Sequence, residues 1–412
     1  MRECTNFYFA LSCLRAFAPK YFTMELYKRR KSCEVQIGTL KMGGDNPVRV
    51  QSMLNTDTND TDACVEQAIR IIEAGGELVR LTAQGVREAE NLQHIKAELT
   101  RRGYGDVPLV ADIHFNPVAA EVAAQYVEKV RINPGNFVAS IKKDLSDYSD
   151  KEFEQERLLL KEKFTHFLNI CKKHDTTVRI GVNHGSLSER MMNRYGDTPL
   201  GMVESCLELL RICREENFDK IVISLKSSNT VLMVQAVRLL VERMEAEDFN
   251  FPLHLGVTEA GDGEDGRIKS AIGIGALLVD GIGDTIRVSL SEDPENEIPV
   301  AFGILQATRL RITKTEYISC PGCGRTLFDL QEVIKQVKAK TSHLKHLKIG
   351  IMGCIVNGPG EMADADYGYV GAARGKVSLY KKQECIEKNI DAEQAVNRLI
   401  DLIKENGDWI DE

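Results

Sequence analysis

Three cysteines toward the C-terminal end of the sequence have the spacing of metal ligands. Cys320 and Cys323 form a C-x-x-C motif, and Cys354 follows later in a glycine-rich turn. A closed zinc site usually takes four Cys or His ligands as two such pairs, whereas here one pair is joined by a single cysteine. Three thiolates suit a 4Fe–4S cluster in which one iron has a different ligand, and Glu361 is the nearest candidate. The spacing favours the cluster and leaves a zinc ribbon as the alternative.

A second group of polar side chains lies at the ends of predicted β-strands. Its members are Arg80, Asp112, His114, Arg131, Asn133, Arg179, Asn183, Lys226, Thr258, Glu259, Arg287 and Ser289. Five of these residues are cations on five different strands. A single such charge usually pairs with an acid or reaches solvent, but five desolvated cations facing one another need an anion. A ligand with two phosphate groups would meet that need.

Two parts of this group allow more than one role. Asp112 and His114 lie on the same face of one strand, so they either hydrogen bond to each other as structural residues or contact the ligand. Glu259 is either a counter-ion for the cations or a proton donor or acceptor that faces the ligand. The sequence alone does not choose between these roles.

Short β-branched runs alternate with longer amphipathic stretches through this part of the chain. The predicted strands are 48–54, 78–83, 109–115, 129–134, 178–183, 220–226, 253–259 and 285–290. Eight βα units in about 255 residues match a TIM (β/α)8 barrel, whose strands all end at one face. A doubly wound sheet is the alternative, but no glycine-rich dinucleotide turn follows the first strand. We expect residues 34–38, a turn at Gly43-Gly44 and the strand from Val48 to form a hairpin at the opposite end.

The cysteine motifs belong to a second predicted domain. Beyond residue 308 the alternation gives way to cysteine-rich turns, strands at 316–320, 347–352 and 376–380, and an amphipathic helix at 391–406. We therefore expect a TIM barrel over 34–308 and a small α+β iron–sulfur domain over 309–412. Residues 1–33 are interpreted as an extension, poorly ordered over 1–23, with Met24 as the natural start.

The composition excludes several other classes of protein. Hydrophobic residues at 43% and charged residues at 28% are typical of a folded globular chain rather than a disordered one. The net charge of −8 gives no support to nucleic-acid binding, and no apolar run is long enough to cross a bilayer. Eleven cysteines without an export signal favour reduced thiols and metal ligation, so we expect a cytoplasmic protein.

Seven motifs together resemble one known family. They are LVADIHFNP, VRINPGN, RIGVNHGSL, VTEAG, GIGDTIRVSL, CPGCGRT and MGCIVNGPGE. From Val35 to the C-terminus the chain resembles the 4-hydroxy-3-methylbut-2-enyl diphosphate synthases, iron–sulfur enzymes of the methylerythritol phosphate route to isoprenoids. The resemblance implies reductive ring opening of 2-C-methyl-D-erythritol 2,4-cyclodiphosphate to (E)-4-hydroxy-3-methylbut-2-enyl diphosphate. It also implies that ferredoxin or flavodoxin delivers two electrons through the cluster.

The resemblance assigns roles to individual residues of both predicted domains. The implied cluster ligands are Cys320, Cys323, Cys354 and Glu361. The implied diphosphate ligands are Arg80, Arg131, Arg179 and Lys226, with Asn133, Asn183, Ser289 and Asn357 as further polar contacts. Glu259 is the implied acid–base residue. Two other classes stay open on residue types alone: a barrel hydrolase or transferase with a structural zinc, and a non-catalytic sensor of a phosphorylated metabolite.

The mode of assembly is the one point at which the sequence departs from part of the family. The segments 137–176 and 184–206 resemble the larger members, which insert a domain between the barrel and the cluster domain. Here the barrel is expected to end near residue 308 and the next domain to start near 316, which leaves no room for an insertion. The 12 residues from the end of the barrel near residue 308 to Cys320 span at most roughly 40 Å. Such a tether favours a homodimer in which one subunit's cluster domain serves the partner's barrel.

We therefore predict that two inactive subunits complement each other. A Cys354→Ser subunit lacks the cluster, and a Lys226→Ala subunit lacks a diphosphate contact. If each barrel works with the partner's cluster domain, a mixed dimer has one active site in which both the barrel and the cluster domain are intact. Activity should partly return in purified mixed dimers and stay absent in either homodimer. Full activity of a verified monomer, or no recovery in verified mixed dimers, would contradict the prediction.

Overall fold

The computed structural model describes residues 28–138, 148–356 and 358–411. The expected extension over 1–23 and the predicted contact Asn357 lie outside these residues. The chain divides into two compact units between Ala301 and Phe302. Within the described ranges, no helix is long and apolar enough to cross a membrane.

The first unit is a barrel of eight parallel strands, preceded by a short hairpin. The hairpin strands are β1 Val35–Ile37 and β2 Leu40–Met42. The barrel strands are β3 Arg49–Met53, β4 Leu78–Thr82, β5 Leu109–Asp112, β6 Lys129–Ile132, β7 Thr177–Asn183, β8 Ile221–Lys226, β9 His254–Leu255 and β10 Thr285–Ile286. Neighbours pair in the order β8-β7-β6-β5-β4-β3-β10-β9, and a parallel bridge between Ile223 and Leu253 closes the ring. The predicted TIM barrel is confirmed.

Helices follow the strands and cover the barrel. They are α1 Thr61–Glu73, α2 Val86–Arg101, α3 Pro117–Ala123, α4 Pro134–Phe137, α5 Asp150–His174, α6 Glu189–Tyr195, α7 Pro199–Glu215, α8 Thr230–Ala246, α9 Gly263–Val279 and α10 Glu297–Ala307, with a 3₁₀ turn at Pro294–Asn296. Side-chain caps fix several starts; for example, Asn229 accepts hydrogen bonds from the backbone of Val231 and Leu232. These caps determine where each loop ends after its strand.

The last two barrel strands are shorter than predicted. Alternating apolar residues predicted strands over 253–259 and 285–290, but regular pairing covers two residues in each. Glu259 adopts φ 52, a left-handed conformation that a β-strand excludes. The alternation therefore indicated which side chains face inward, while the backbone leaves the hydrogen-bond ladder near the barrel mouth.

The hairpin closes the barrel bottom, but its turn is not where we predicted it. β1 and β2 pair antiparallel around Gly38, which has φ +57, so the prediction that the hairpin turns at Gly43-Gly44 is wrong. A turn does exist there, because Asn46 N donates to the Gly43 carbonyl at 3.1 Å. That predicted turn follows β2, and β2 itself was missed because it has only three residues. The hairpin buries three side chains against residues at the starts of β4, β5 and β8: Val35, Ile37 and Met42 against Leu78, Val110 and Val222.

The second unit is a five-stranded sheet with two helices on one face. Its elements are β11 Glu316–Ser319, α11 Leu330–Thr341, β12 Lys348–Met352, α12 Gly358–Glu361, β13 Tyr367–Ala373, β14 Lys376–Lys381, β15 Glu384–Asp391 and α13 Ala392–Glu405. β11, β12 and β13 are parallel, and β13, β14 and β15 are antiparallel. Val337 of α11 and Leu399 of α13 pack on Ile349 and Tyr369 of the sheet. This confirms the predicted α+β architecture.

We predict that the hairpin stabilises the barrel through its buried face. Ile37 is fully buried, so Ile37→Ala should lower the free energy of unfolding by about 2–5 kcal/mol. Gln36→Ala, on the exposed face of the same strand, is the control and should change it by less than about 0.5 kcal/mol. Urea denaturation measures both. Equal effects of the two substitutions would show that the hairpin is not part of the barrel core.

Candidate active site

A cavity of about 200 Å³ lies at the carboxyl ends of the barrel strands. The residues that line it are Arg80, Arg131, Arg179, Asn183, Ser224, Lys226, Val257, Thr258, Glu259, Arg287 and Ser289. All of them except Ser224 and Val257 belong to the group predicted from the strand ends. Parallel pairing explains the convergence, since Arg131 lies in register with Arg179 and Asn183 with Lys226.

Asp112 holds two of the cations instead of lining the cavity. Its carboxylate pairs with Arg80, and its Oδ1 lies 3.2 Å from Nη1 of Arg131. His114 completes the group, with Nε2 at 2.7 Å from Arg131 Nη1 and 3.2 Å from Asp112 Oδ2. Burial alone would raise the pKa of Asp112, but Arg80 and Arg131 hold it well below its usual value. The carboxylate therefore stays ionised and fixes the two guanidinium groups.

Glu297 performs the same task for Arg287. Its two oxygens accept hydrogen bonds of 2.9 and 3.2 Å from the guanidinium, and one also accepts from Ser52 Oγ at 2.7 Å. The glutamate is almost completely buried. Sequence analysis missed it because it comes from the first turn of α10 and not from a strand end. An acid that begins the helix after the last strand was the available signal.

Arg179 and Lys226 have no such carboxylate. Neither makes an ion pair with any residue that the structure describes, although their exposed fractions are 1% and 6%. Nε and Nη1 of Arg179 are buried without a hydrogen-bond partner. Burial, together with Arg80 and Arg131, holds the pKa of Arg179 well below its usual value. Burial and the nearby Arg179 do the same to the pKa of Lys226. This part of the cavity is therefore ready for an anion.

The absence of a side chain at Gly256 leaves room for the ammonium group of Lys226. A side chain on Gly256 would place its Cβ 2.8 Å from Lys226 Nζ and 2.6 Å from the carbonyl oxygen of Arg287. Such a contact is too short for any real side chain, so the backbone just after β9 can approach the ammonium group only because position 256 has no side chain. This segment of the backbone is thus adapted to the cation opposite it.

The other predicted barrel residues have different surroundings. Asn133 is buried, caps α4 through Gly135 N, and donates to Ser186 Oγ at 2.9 Å, so its described contacts are structural. Glu259 is exposed at the cavity rim, and its positive φ is unusual for a residue other than glycine. Strained backbone of this kind is frequent at functional sites.

A second cavity, of about 190 Å³, lies in the C-terminal unit at the ends of β11 and β12. Its lining includes all four predicted cluster ligands: Cys320, Cys323, Cys354 and Glu361. Gly322, between the first two cysteines, has φ +80, a conformation that suits glycine. The turn thereby directs Cys320 and Cys323 toward the same cavity.

Hydrogen bonds hold the two cysteine loops together. Gly353 N donates to Cys320 Sγ at 3.2 Å, and Leu327 N donates to the Gly353 carbonyl at 3.1 Å. Within the first loop, Cys323 N donates to Thr326 Oγ1 at 3.0 Å. Hydrogen bonds to thiolate sulfur are a recurrent feature of iron–sulfur sites, where they tune the reduction potential.

Arg325 is a residue of this cavity that sequence analysis did not single out. Hydrogen bonds from its backbone and side chain lower the pKa of the exposed Cys323. In return, Cys323, Cys354 and Glu361 raise the pKa of Arg325. A permanent cation therefore faces thiol and carboxylate ligands. Its position two residues after the C-x-x-C motif was the available signal.

The described residues contain no group of three or more His, Cys, Asp or Glu side chains that could hold a single metal ion. A single zinc ion needs its ligands within bonding distance of one point. The cysteines of a 4Fe–4S cluster bind separate irons, so they can line a wider cavity. The cavity of the C-terminal unit is lined by three thiols and a carboxylate, residue types that can hold an iron–sulfur cluster.

The fold and the two cavities define a TIM-barrel protein that has an anion site in the barrel and a cysteine site in a separate C-terminal unit. Family models match both parts. Residues 32–302 match the GcpE TIM-barrel domain, and residues 316–405 match the GcpE protein C-terminal domain. The chain belongs to the GcpE family.

Curated relatives share most of this chain. The ferredoxin-type 4-hydroxy-3-methylbut-2-en-1-yl diphosphate synthases of Prochlorococcus marinus and Synechococcus are each 53% identical; the alignments cover 93% and 94% of this chain and 95% and 94% of the relatives. The flavodoxin-type synthase of Phocaeicola vulgatus is 44% identical over 607 aligned positions, covering 93% of this chain and 99% of that protein. Because this chain has 412 residues, the longer relative contains a segment without a counterpart here.

We predict that Lys226 is a direct anion contact. Lys226→Met keeps most of the buried stem and removes a charge-assisted contact worth about 1.5–3 kcal/mol, so inorganic pyrophosphate should bind roughly tenfold to over a hundredfold more weakly. Lys220→Met, just before the same strand, is the control and should bind normally. Calorimetric titration measures affinity. Unchanged binding together with a much lower melting temperature would assign Lys226 a structural role instead.

Proposed function

We propose that this protein catalyses the reductive ring opening of 2-C-methyl-D-erythritol 2,4-cyclodiphosphate to (E)-4-hydroxy-3-methylbut-2-enyl diphosphate. The observation that carries the proposal is the presence, in one chain of the GcpE family, of a cation-rich barrel cavity and a cavity lined by three cysteines and Glu361. The first suits a diphosphate and the second suits a redox cluster. The names of the relatives supply the reaction.

The reaction consumes two electrons and one proton. The bond from C2 to its phosphate oxygen and the bond from C3 to its hydroxyl both break, and a C2=C3 double bond forms. The hydroxyl leaves as water with the added proton. The cyclic dianion thus becomes a linear diphosphate trianion, so the bound ligand gains one negative charge.

The barrel residues bind and orient the cyclic diphosphate. Arg179 and Lys226 supply the cations that lack a carboxylate partner among the described residues, and phosphate oxygens would satisfy their free N–H groups. Arg80 and Arg131 are held by Asp112, so their guanidinium groups need little reordering when the ligand binds. Polar contacts from Asn183, Thr258, Arg287 and Ser289 complete the set of residues on the cavity wall.

Glu259 is the residue that we assign to proton transfer. It lines the cavity from the rim and is reached by solvent, so it can be protonated again after each turnover. A carboxylic acid at that position can give a proton to the leaving hydroxyl. Its left-handed backbone indicates that the position of this side chain is maintained at an energetic cost.

Cys320, Cys323, Cys354 and Glu361 would hold a 4Fe–4S cluster. When bound, the cluster would supply single electrons received from a ferredoxin or flavodoxin, and Glu361 would be a more labile ligand than the thiolates. Thiolate ligation requires reduced cysteines, and this supports a cytoplasmic location for the proposed reaction. The hydrolase, transferase and sensor alternatives are not favoured, because the curated relatives are named as synthases of the same diphosphate.

We predict that substitutions distinguish the role of the carboxylate ligand from that of the cysteine ligands. Glu361→Ala should keep a cluster bound by three thiolates and lose most turnover, whereas Cys354→Ser should lose the cluster itself. Visible absorption near about 400 nm and iron content report the cluster, and reductive turnover of the cyclodiphosphate reports activity.

Matched controls lie in the same unit. Cys385→Ser and Glu393→Ala change the same residue types outside the cavity, so both should keep the colour and the activity. Near-normal turnover of the Glu361 variant would exclude its role as a ligand. A colourless wild-type protein that binds zinc would overturn the proposed function.

A further inference from the structure

Beneath the anion cavity the barrel interior contains a second polar layer, which the proposed mechanism does not use. We call it the inner layer and define it as Gln51 of β3, Lys129 of β6 and His254 of β9. Lys129 precedes Arg131 by two residues on its strand, so both side chains point inward and Lys129 lies one level deeper. The exposed fractions of the three residues are 0%, 0% and 1%.

The hydrogen bonding of the inner layer is incomplete. Lys129 Nζ lies 3.4 Å from Gln51 Oε1, a long hydrogen bond, and makes no ion pair within the described residues. Gln51 Nε2 and His254 Nε2 are buried and have no hydrogen-bond partner in the part of the chain that the structure describes. His254 Nδ1 lies 3.4 Å from Thr285 Oγ1. Buried polar atoms rarely lack a hydrogen-bond partner. The inner layer can therefore accept a proton, or make a hydrogen bond, that it does not have in the ligand-free protein.

The charged groups around the inner layer are mostly cations. The groups from neighbouring strands that act on Lys129 and His254 are Arg80, Arg179 and Lys226. Asp112, the acid that pairs with Arg80, also pairs with Arg131. Burial and Arg179 lower the pKa of Lys129 well below its usual value, and burial and Lys226 do the same for His254. A positive charge on Lys129 or His254 is therefore unfavourable until an anion binds above them.

We propose that the inner layer is a proton acceptor coupled to the anion site: Lys129 and His254, which are fully buried and form no ion pair with any described residue, take up a proton when the cyclic diphosphate binds. The proposal rests on the proposed function, since it needs the two negative charges of that ligand directly above. The charge gained then remains beneath the ligand while ring opening adds a further negative charge to it.

The ligand makes this uptake measurable. Each phosphorus of the cyclic diphosphate has one acidic oxygen, ionised far below neutral pH, so the ligand itself neither gains nor loses a proton on binding. Any net uptake therefore comes from the protein. Because the free protein binds fewer protons than the complex, affinity should fall as pH rises, by about tenfold per pH unit for each proton taken up.

The test is calorimetric titration of the oxidised, cluster-containing protein with the cyclodiphosphate, without reductant, in buffers of different ionisation enthalpy. The wild-type protein should take up protons near pH 8, and Lys129→Met should take up about one fewer. His254→Gln is a second variant, should Lys129→Met fail to fold, and should also reduce the uptake. Lys220→Met should match the wild type. The cluster is the same in all of them, so its own proton changes cancel.

The outcomes separate the two proposals. Binding without proton uptake in the wild type overturns the inner-layer proposal and leaves the proposed function standing. Uptake that is unchanged in both Lys129→Met and His254→Gln also overturns it, because the protons then go elsewhere. Failure of the cyclodiphosphate to bind overturns both proposals together.

Discussion

Repulsion among cations is the constraint on which the rest of this barrel depends. Strand ends on five sides direct arginine and lysine side chains into one small, buried cavity, where like charges strongly oppose one another. Two carboxylates, Asp112 and Glu297, offset the charges of Arg80, Arg131 and Arg287 and fix their directions. The remaining excess positive charge has no partner among the described residues. The folded barrel therefore has an excess of positive charge in its interior that an anionic ligand would offset.

The same constraint explains details of the backbone. A parallel barrel buries both faces of its strands, and here the apolar hairpin also covers the bottom of the barrel. Position 256 lacks a side chain because the ammonium of Lys226 occupies that space. In the C-terminal unit the balance of charge is opposite: thiol and carboxylate groups surround one cation, Arg325. Each unit therefore has the polarity that its proposed ligand requires.

Much of this could be predicted from the sequence, because period-two alternation in strands determines which residues share a face and where each strand ends. That rule found Arg131, Arg179 and Lys226 without a structure. It could not find Glu297, which reaches Arg287 from a helix, or the capping role of Asn133, which looks like any other strand-end amide. It also overestimated the last two strands, since the inward pattern continues after the hydrogen-bond ladder ends. Side-chain direction follows from local sequence, whereas the choice of partner depends on tertiary contacts.

The positive charge of the cavity also affects the energetics of the proposed reaction. Electrons are negative charges, and reduction adds them to a ligand that is already a dianion. In water, repulsion within the ligand would oppose that step. In a cavity where Arg179 and Lys226 have no carboxylate partner among the described residues and Lys129 lies beneath them, the added charge is attracted to its surroundings. Preorganised cations therefore favour the ring-opened, more negative state over the cyclic one. It follows that the cationic excess, which is unfavourable in the free protein, becomes favourable in stages: when the diphosphate binds, and again when its ring opens.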